Sequence, residues 1–211
     1  MPYLSRPEPD PMPMDCRILS AAIKLFVNRG YHNVSVHDIQ KHANVSIGSI
    51  YKHFGGKEGI ARALHGRLLE EMNQMVDSVI SQDLSAIEQC NRIIELLFEY
   101  TETRTEIIAF IFNAKHTEFI AGEPPICTAE PFQKIRNIVR KGMDSGEIQS
   151  YDCWVSASVI FGGAFRMIYM RLEGLIDRPL PEFYEEIVAA IWKPMEVPVE
   201  PGTLLKPAAN E

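Results

Sequence analysis

A chain of 211 residues, 46% hydrophobic and 23% charged, can bury one substantial core, or a small domain beside a larger one. Its formal charge of −7 is adverse for a nucleic-acid binder taken as a whole, so any such partner must be met by a local basic face. The four cysteines, Cys16, Cys90, Cys127 and Cys153, lie far apart and form no C-x-x-C pair, and a reducing cytoplasm is the simple inference.

In chain order, the N-terminus MPYLSRPEPDPMPM is proline-rich and has no apolar run, so it predicts a disordered arm over residues 1–13 rather than a signal peptide. An arm placed beside a DNA-reading helix can touch a minor groove, with Arg6 as its candidate. Ile18, Ala21, Ala22, Leu25 and Phe26 then recur at helical spacing. They predict an amphipathic helix from about Asp15 to Arg29, closed by Gly30.

The run from Ser35 to Lys57, SVHDIQKHANVSIGSIYKHFGGK, reads as two short helices joined by a tight turn. Ser35 and Asp38 form a capping-box pattern, and the carboxylate complements the helix dipole. Ile39 and Ala43 face one way and dock the first helix. Asn44 suits the left-handed residue of the turn, Val45 fills the corner, and Ser46 caps the second helix. Ile50 and Phe54 form its buried stripe, which leaves Ile47, Gly48, Ser49, Tyr51, Lys52 and His53 outward or at the edge. A major groove admits such a helix. Gly48 permits close backbone approach, Ser49, Tyr51 and His53 offer donors, and Lys52 adds charge. Lys57 opens the next helix, where free N–H groups and an ammonium make a phosphate site. Between residues 14 and 60 there are six Lys or Arg against three Asp or Glu, a local balance of +3. No two of His37, His42 and His53 make an i,i+4 ligand pair, so no metal is expected.

From about Cys16 to Ile60 the chain resembles the DNA-binding domain of the TetR family of transcriptional regulators. The resemblance rests on LFVNRGY, the VHDI helix start, VSIGSIYKHF, and the Lys57-Glu58 pair. By position it implies DNA contacts at Ser35, His37, Ile47, Gly48, Ser49, Tyr51, His53 and Lys57. Asn44 replaces the usual turn glycine, Gln40 stands where alanine is common, and Ile47 points to an apolar contact such as a thymine methyl.

Beyond this unit the pattern stays helical. Ile60, Leu64, Leu68, Met72, Met75 and Val79 mark the buried face of a long helix from Lys57. Another follows from about Leu84 through Ile87, Ile94, Leu97 and Phe98, and the polar TETRT breaks it. IIAFIF, residues 107–112, predicts a helix buried on most sides, and Gly122, Pro124 and Pro125 force a loop. Pro131 suits a first helical turn, in a helix reaching about Met143. Two last helices run from about Asp152 to Glu173 and from about Pro181 to Trp192. No stretch approaches a membrane span, and the residues after Lys193 read as a disordered tail. The organisation expected is an arm at 1–13, a helix-turn-helix domain at 14–58, a helical ligand-binding and dimerisation domain at 59–193, and a tail at 194–211. The fold class is all-α.

In the helix from Asp152, Gly162 and Gly163 sit mid-helix, where each glycine costs about 1 kcal/mol against alanine. Arg166 lies inside an apolar run and needs a carboxylate, a carbonyl or water. The resemblance implies that the last two helices form a four-helix bundle with a partner, with Gly162, Gly163 and Arg166 at the dimer interface; packing within one subunit is the alternative. It also implies a ligand pocket, for which Phe98, Phe110, Asn113, His116, Phe119, Trp154, Phe161 and Tyr169 are candidates. Pockets are apolar with a few polar anchors, so a small hydrophobic or aromatic effector is expected.

Together these features predict a cytoplasmic, homodimeric regulator on a palindromic double-stranded operator, released by a small molecule, with no cofactor, no metal and no membrane. A nucleoid or division factor without an inducer is one rival. A helical carrier or enzyme is another, though no Gly-rich phosphate loop, G-x-S-x-G or H-E-x-x-H occurs.

Overall fold

The computed structural model describes Leu4 and residues 10–113 and 126–196. Arg6, His116 and Phe119 lie outside those residues, as does the side chain of Asn113. Among the described residues the secondary structure is helical, as expected. The helices are α1 (Met14–Arg29), α2 (Val36–Ala43), α3 (Ile47–Phe54), α4 (Lys57–Ile80), α5 (Ala86–Thr103), α6 (Thr105–Asn113), α7 (Glu130–Asp144), α8 (Cys153–Leu172) and α9 (Tyr184–Glu196).

Helix ends follow the local chemistry. The hydroxyls of Ser35 and Ser85 each accept the N–H three residues on, and the carboxylates of Asp38 and Glu88 reciprocate to the cap N–H groups. Asp152 caps α8 by accepting from the N–H groups of Trp154 and Val155. The α5–α6 break falls at Arg104, inside the TETRT run. The last segment differs from expectation at its start: residues Leu180–Phe183 form a 3-10 turn, and the α-helix begins at Tyr184 and continues to Glu196, past the expected tail boundary. Prolines at 179 and 181 tighten that entry.

α4 is the axis of the molecule. Its buried residues, Ile60 through Val79, meet α1 and α3 near one end and α5 and α7 farther along. α6 packs on α1, where the rings of Phe110 and Phe26 lie 6.5 Å apart. A clasp closes the far side of the bundle. Arg171 of α8 donates twice to the Glu102 carboxylate, at 3.0 and 2.8 Å, and also to the carbonyls of Ile176 and Asp177. The N–H of Leu180 donates to the same carboxylate at 3.0 Å.

α8 corrects one expectation, that no stretch approaches a membrane span: by length and composition it is apolar enough to cross one. Ser156, Ile160, Phe161, Ala164 and Ile168 nevertheless bury one side of it in the bundle. The opposite side is uncovered and carries Val155, Val159, Gly162 and Arg166, while Gly163 is turned toward α9. Arg166 is exposed, with its guanidinium 4.9 Å from the centre of the Tyr169 ring.

Candidate nucleic-acid interface

α2 and α3 are short helices held from beneath. Ile39 and Ala43 of α2 and Ile50 of α3 are buried against α1 and α4, while Phe54 is half-buried at the edge. Asn44 adopts the left-handed conformation between them, at φ 51°. Gln40 pins the turn: its side-chain amide donates to the Val45 carbonyl at 2.9 Å.

With Ile50 fully buried, the helical repeat turns residues 48 and 51–53 outward. Gly48, Tyr51, Lys52 and His53 are exposed, Tyr51 by 56%. Ile47 and Ser49 lie half-buried along the edge. The Ser46 hydroxyl accepts the Ser49 N–H at 3.1 Å and pairs with the Ser49 hydroxyl at 2.8 Å, so Ser49 also stabilises the helix start. Ser35 and His37 are exposed at the start of α2. The Asp38 carboxyl is held below its ordinary range, chiefly by hydrogen bonds from the side chain and N–H of Ser35. It therefore stays an anion that anchors the cap.

Lys57 sits at the first turn of α4. Its ammonium donates to the Tyr31 carbonyl at 3.1 Å and lies 4.2 Å from the centre of the Tyr31 ring. The lysine is thus already oriented by protein, a role that its position in the sequence did not disclose.

Gly59 is a further functional position, one that the motifs do not single out. A Cβ built there would stand 1.6 Å from the Phe54 carbonyl oxygen and 2.8 Å from its carbonyl carbon. Only glycine lets the first turn of α4 press on the backbone at the end of α3, which sets how the exposed helix is presented. The available signal was a glycine inside a helical pattern, the same signal that marks Gly162 and Gly163.

Among the described residues, the expected pocket candidates fall in several places. Phe98 is wholly buried within the core, and Phe110 faces Phe26 of α1. Tyr169 is exposed beside Arg166. Trp154 and Phe161 do share a cleft between α7 and α8, with Phe132, Ile135, Arg136 and Phe165, of about 220 Å³. There the Arg136 guanidinium lies 4.3 Å from the centre of the Trp154 ring and donates to the Cys127 carbonyl at 2.7 Å. Gly162 has open space around it, while a Cβ at Gly163 would meet Ile187 of α9 at 3.3 Å.

The surface of α2, α3 and the start of α4 is small, polar and basic over a rigid floor, which suits a duplex groove. Residues 18–64 match the family model described as bacterial regulatory proteins, tetR family. The chain is 28% identical over 176 residues to the HTH-type transcriptional regulator YhgD of Bacillus subtilis, covering 82% of this chain and 90% of that one. In fold it is similar to the fatty acid degradation regulator FadR of Bacillus halodurans, with a TM-score of 0.70 at 19% identity over 85% of this chain and 94% of that one. It is also similar to Bacillus subtilis FadR in complex with stearoyl-CoA, with a TM-score of 0.60 at 23% identity over 83% and 96%.

Proposed function

We propose that the chain, whose residues 18–64 match the tetR family model, is a DNA-binding transcriptional regulator that works as a homodimeric repressor released from a palindromic operator by a small apolar ligand. The observation that carries this reading is the free outer face of α3, with Tyr51, Lys52 and His53 exposed above a fully buried Ile50. Each α3 enters a major groove, the half-sites lying about 34–36 Å apart along the duplex. Ile47, Gly48, Ser49, Tyr51 and His53 meet base edges or sugar-phosphate there, and Lys52 adds charge. Ser35, His37 and Lys57 hold the flanking phosphates. The partners are DNA and an effector, the role is binding rather than catalysis, and the compartment is the cytoplasm, where the operator is.

Dimerisation follows from the uncovered side of α8. Val155 and Val159 are about half exposed, at 52% and 49%, on a helix that is otherwise apolar. An exposed apolar stripe of this kind favours burial against a partner. Gly162 lets a second helix approach closely, and Arg166 borders the contact.

The α7–α8 cleft supports an effector site, because Trp154 and Phe161 meet there around the Arg136 cation. An apolar molecule with an anionic end fits that lining. Long-chain acyl thioesters, of the kind bound by Bacillus subtilis FadR, are one class to try. A differential affinity worth about 1–3 kcal/mol, roughly 5- to 150-fold, suffices for such linkage.

A gel shift with the chain's own upstream DNA tests the assignment. Wild-type protein should retard it specifically, and Tyr51→Ala and Lys57→Ala should weaken retardation while the dimer stays folded. Unchanged affinity in both variants would remove α3 and the α4 start from the reading face.

A further inference from the structure

Acids outnumber Lys and Arg by 28 to 21 in this chain, and cations elsewhere on its surface are paired, as Arg62 is with Glu58 and Lys134 with Asp77. One group departs from that pattern. Arg17, Ser20 and Lys24 recur at helical spacing on α1. With Ala21, and with His42 and Ala43 at the end of α2, they line a cavity of about 360 Å³. Among the described residues no carboxylate lines it, and neither Arg17 nor Lys24 makes an ion pair. The His42 ring on its border is fixed by its own helix, with Nδ1 donating to the Asp38 carbonyl at 2.9 Å. A guanidinium and an ammonium that share one hollow repel each other until an anion enters it.

The cavity has a defined place relative to the DNA-reading face. Arg29, at the end of α1, stands 4.0 Å from Asp38 in the first turn of α2, while the first half of α1 meets the end of α2 at the cavity. The two helices are therefore antiparallel, and the cavity lies at the opposite end of α2 from Ser35 and His37. With eight residues, α2 is about 12 Å long, which is about the width of a major groove. Lys41, one turn beyond His37 and likewise exposed, continues the basic line toward the cavity.

We propose that Arg17 and Lys24 form a second backbone grip, holding phosphodiesters of the strand across the groove from the one that Ser35 and His37 hold. This rests on the DNA-binding reading above and extends it to α1. The guanidinium offers a phosphate two parallel donors, the ammonium adds a point charge, and the Ser20 hydroxyl supplies a further donor between them. Holding both strands fixes the tilt of α3 in the groove without reading a base.

The test is the salt dependence of DNA binding. Fluorescence anisotropy follows the full chain on its own upstream duplex, and on an unrelated duplex of equal length, between about 50 and 200 mM salt. Arg17→Gln and Lys24→Gln should each make the plot of log affinity against log salt shallower by about 0.9 and weaken binding about fivefold at about 0.15 M salt. The loss should be equal on both duplexes, because phosphate contacts carry no sequence. Circular-dichroism melts check folding, and the exposed Lys24 decides the matter alone if Arg17→Gln does not fold. A double variant with the wild-type salt slope overturns the proposal. Calorimetric binding of inorganic phosphate that the double variant loses, with its DNA salt slope unchanged, also overturns it by making the cavity a free-anion site. Tyr51→Ala separates this inference from the reading it rests on. If that variant alone loses the preference for upstream DNA and the Arg17 and Lys24 variants keep the wild-type slope, α3 reads DNA and only the second grip fails. If wild type shows no such preference, the regulator reading fails, and the unrelated duplex still reports the slope.

Discussion

Replacing Gly59 by alanine isolates the contact that sets the pose of α3. The new Cβ would stand 1.6 Å from the Phe54 carbonyl oxygen, and the neighbouring atoms are backbone, which cannot rotate aside. Reaching even 3.0 Å, the lower limit of real contacts, requires the end of α3 and the start of α4 to part by about 1.4 Å. Overpacking of this kind costs about 1–3 kcal/mol, against which alanine's helix propensity returns up to about 1 kcal/mol. In a chain of this size each kcal/mol moves the melting temperature by about 2–4 °C, so a fall of a few degrees is expected. The larger effect is on DNA. On the proposed docking, a shift beyond 1 Å takes Tyr51 and His53 out of hydrogen-bond range of the duplex, and operator affinity should fall at least about tenfold. Gly66 of the same helix is the control: a Cβ there meets nothing within 4 Å. Gly66→Ala should raise stability by up to about 1 kcal/mol and leave DNA binding alone. Thermal melts and fluorescence-anisotropy titrations of the two variants give the comparison. If Gly59→Ala binds operator as wild type does and melts at the same temperature, the close approach does not set the pose of α3.

Other outcomes follow from single contacts. Ser46→Ala removes the cap of α3 and should cost about 1 kcal/mol in a denaturant titration, with weaker operator binding because Ser49 loses its partner. Glu102 is held below the ordinary carboxylate range, first by the hydrogen bonds from Arg171. Its folded form therefore binds fewer protons than its unfolded form near pH 4, so the stabilisation is complete above the usual glutamate value and disappears as pH falls through the lowered one. Glu102→Gln should cost about 1–2 kcal/mol at neutral pH and flatten the acid limb of a stability-versus-pH curve; an unchanged limb would show that the clasp carries no such linkage. Cys127 is exposed whereas Cys90 is buried, its thiol pushed up to about 12 by burial first and then by Glu147. Maleimide labelling followed by mass spectrometry should modify Cys127 first and Cys90 only on unfolding.

Features built from neighbours in sequence could be read without coordinates. The Ser35–Asp38 box, Asn44 in the left-handed region and Ser46 as a cap each depend on residues within a few positions. The buried faces of α1 and α4 follow from helical spacing for the same reason. Contacts between distant residues could not be read in this way. The Glu102–Arg171 clasp joins positions 69 apart and Leu4 meets Glu71 across 67, and neither carries a local signature. The partner of Arg166 stays open among a carboxylate, a carbonyl and water, because the sequence does not say which side of α8 is uncovered. The aromatic candidates scattered because helical spacing names a face without saying which face meets which. Phe98 and Phe110 went to the core, and Trp154 and Phe161 went to the α7–α8 cleft.

The unbroken run of α4 limits what protein engineers can transplant. The helix is 24 residues long, about 36 Å at the standard rise, and its first turn supports α3 while its later turns lie among α5 and α7. A hybrid regulator spliced at residue 58 would divide one rod between two parents and leave Gly59 and Phe54 from different lineages at their tightest point. Grafts that carry the donor's chain through Ile80, together with a matched α6 surface for Phe26, should exchange operator preference and still fold.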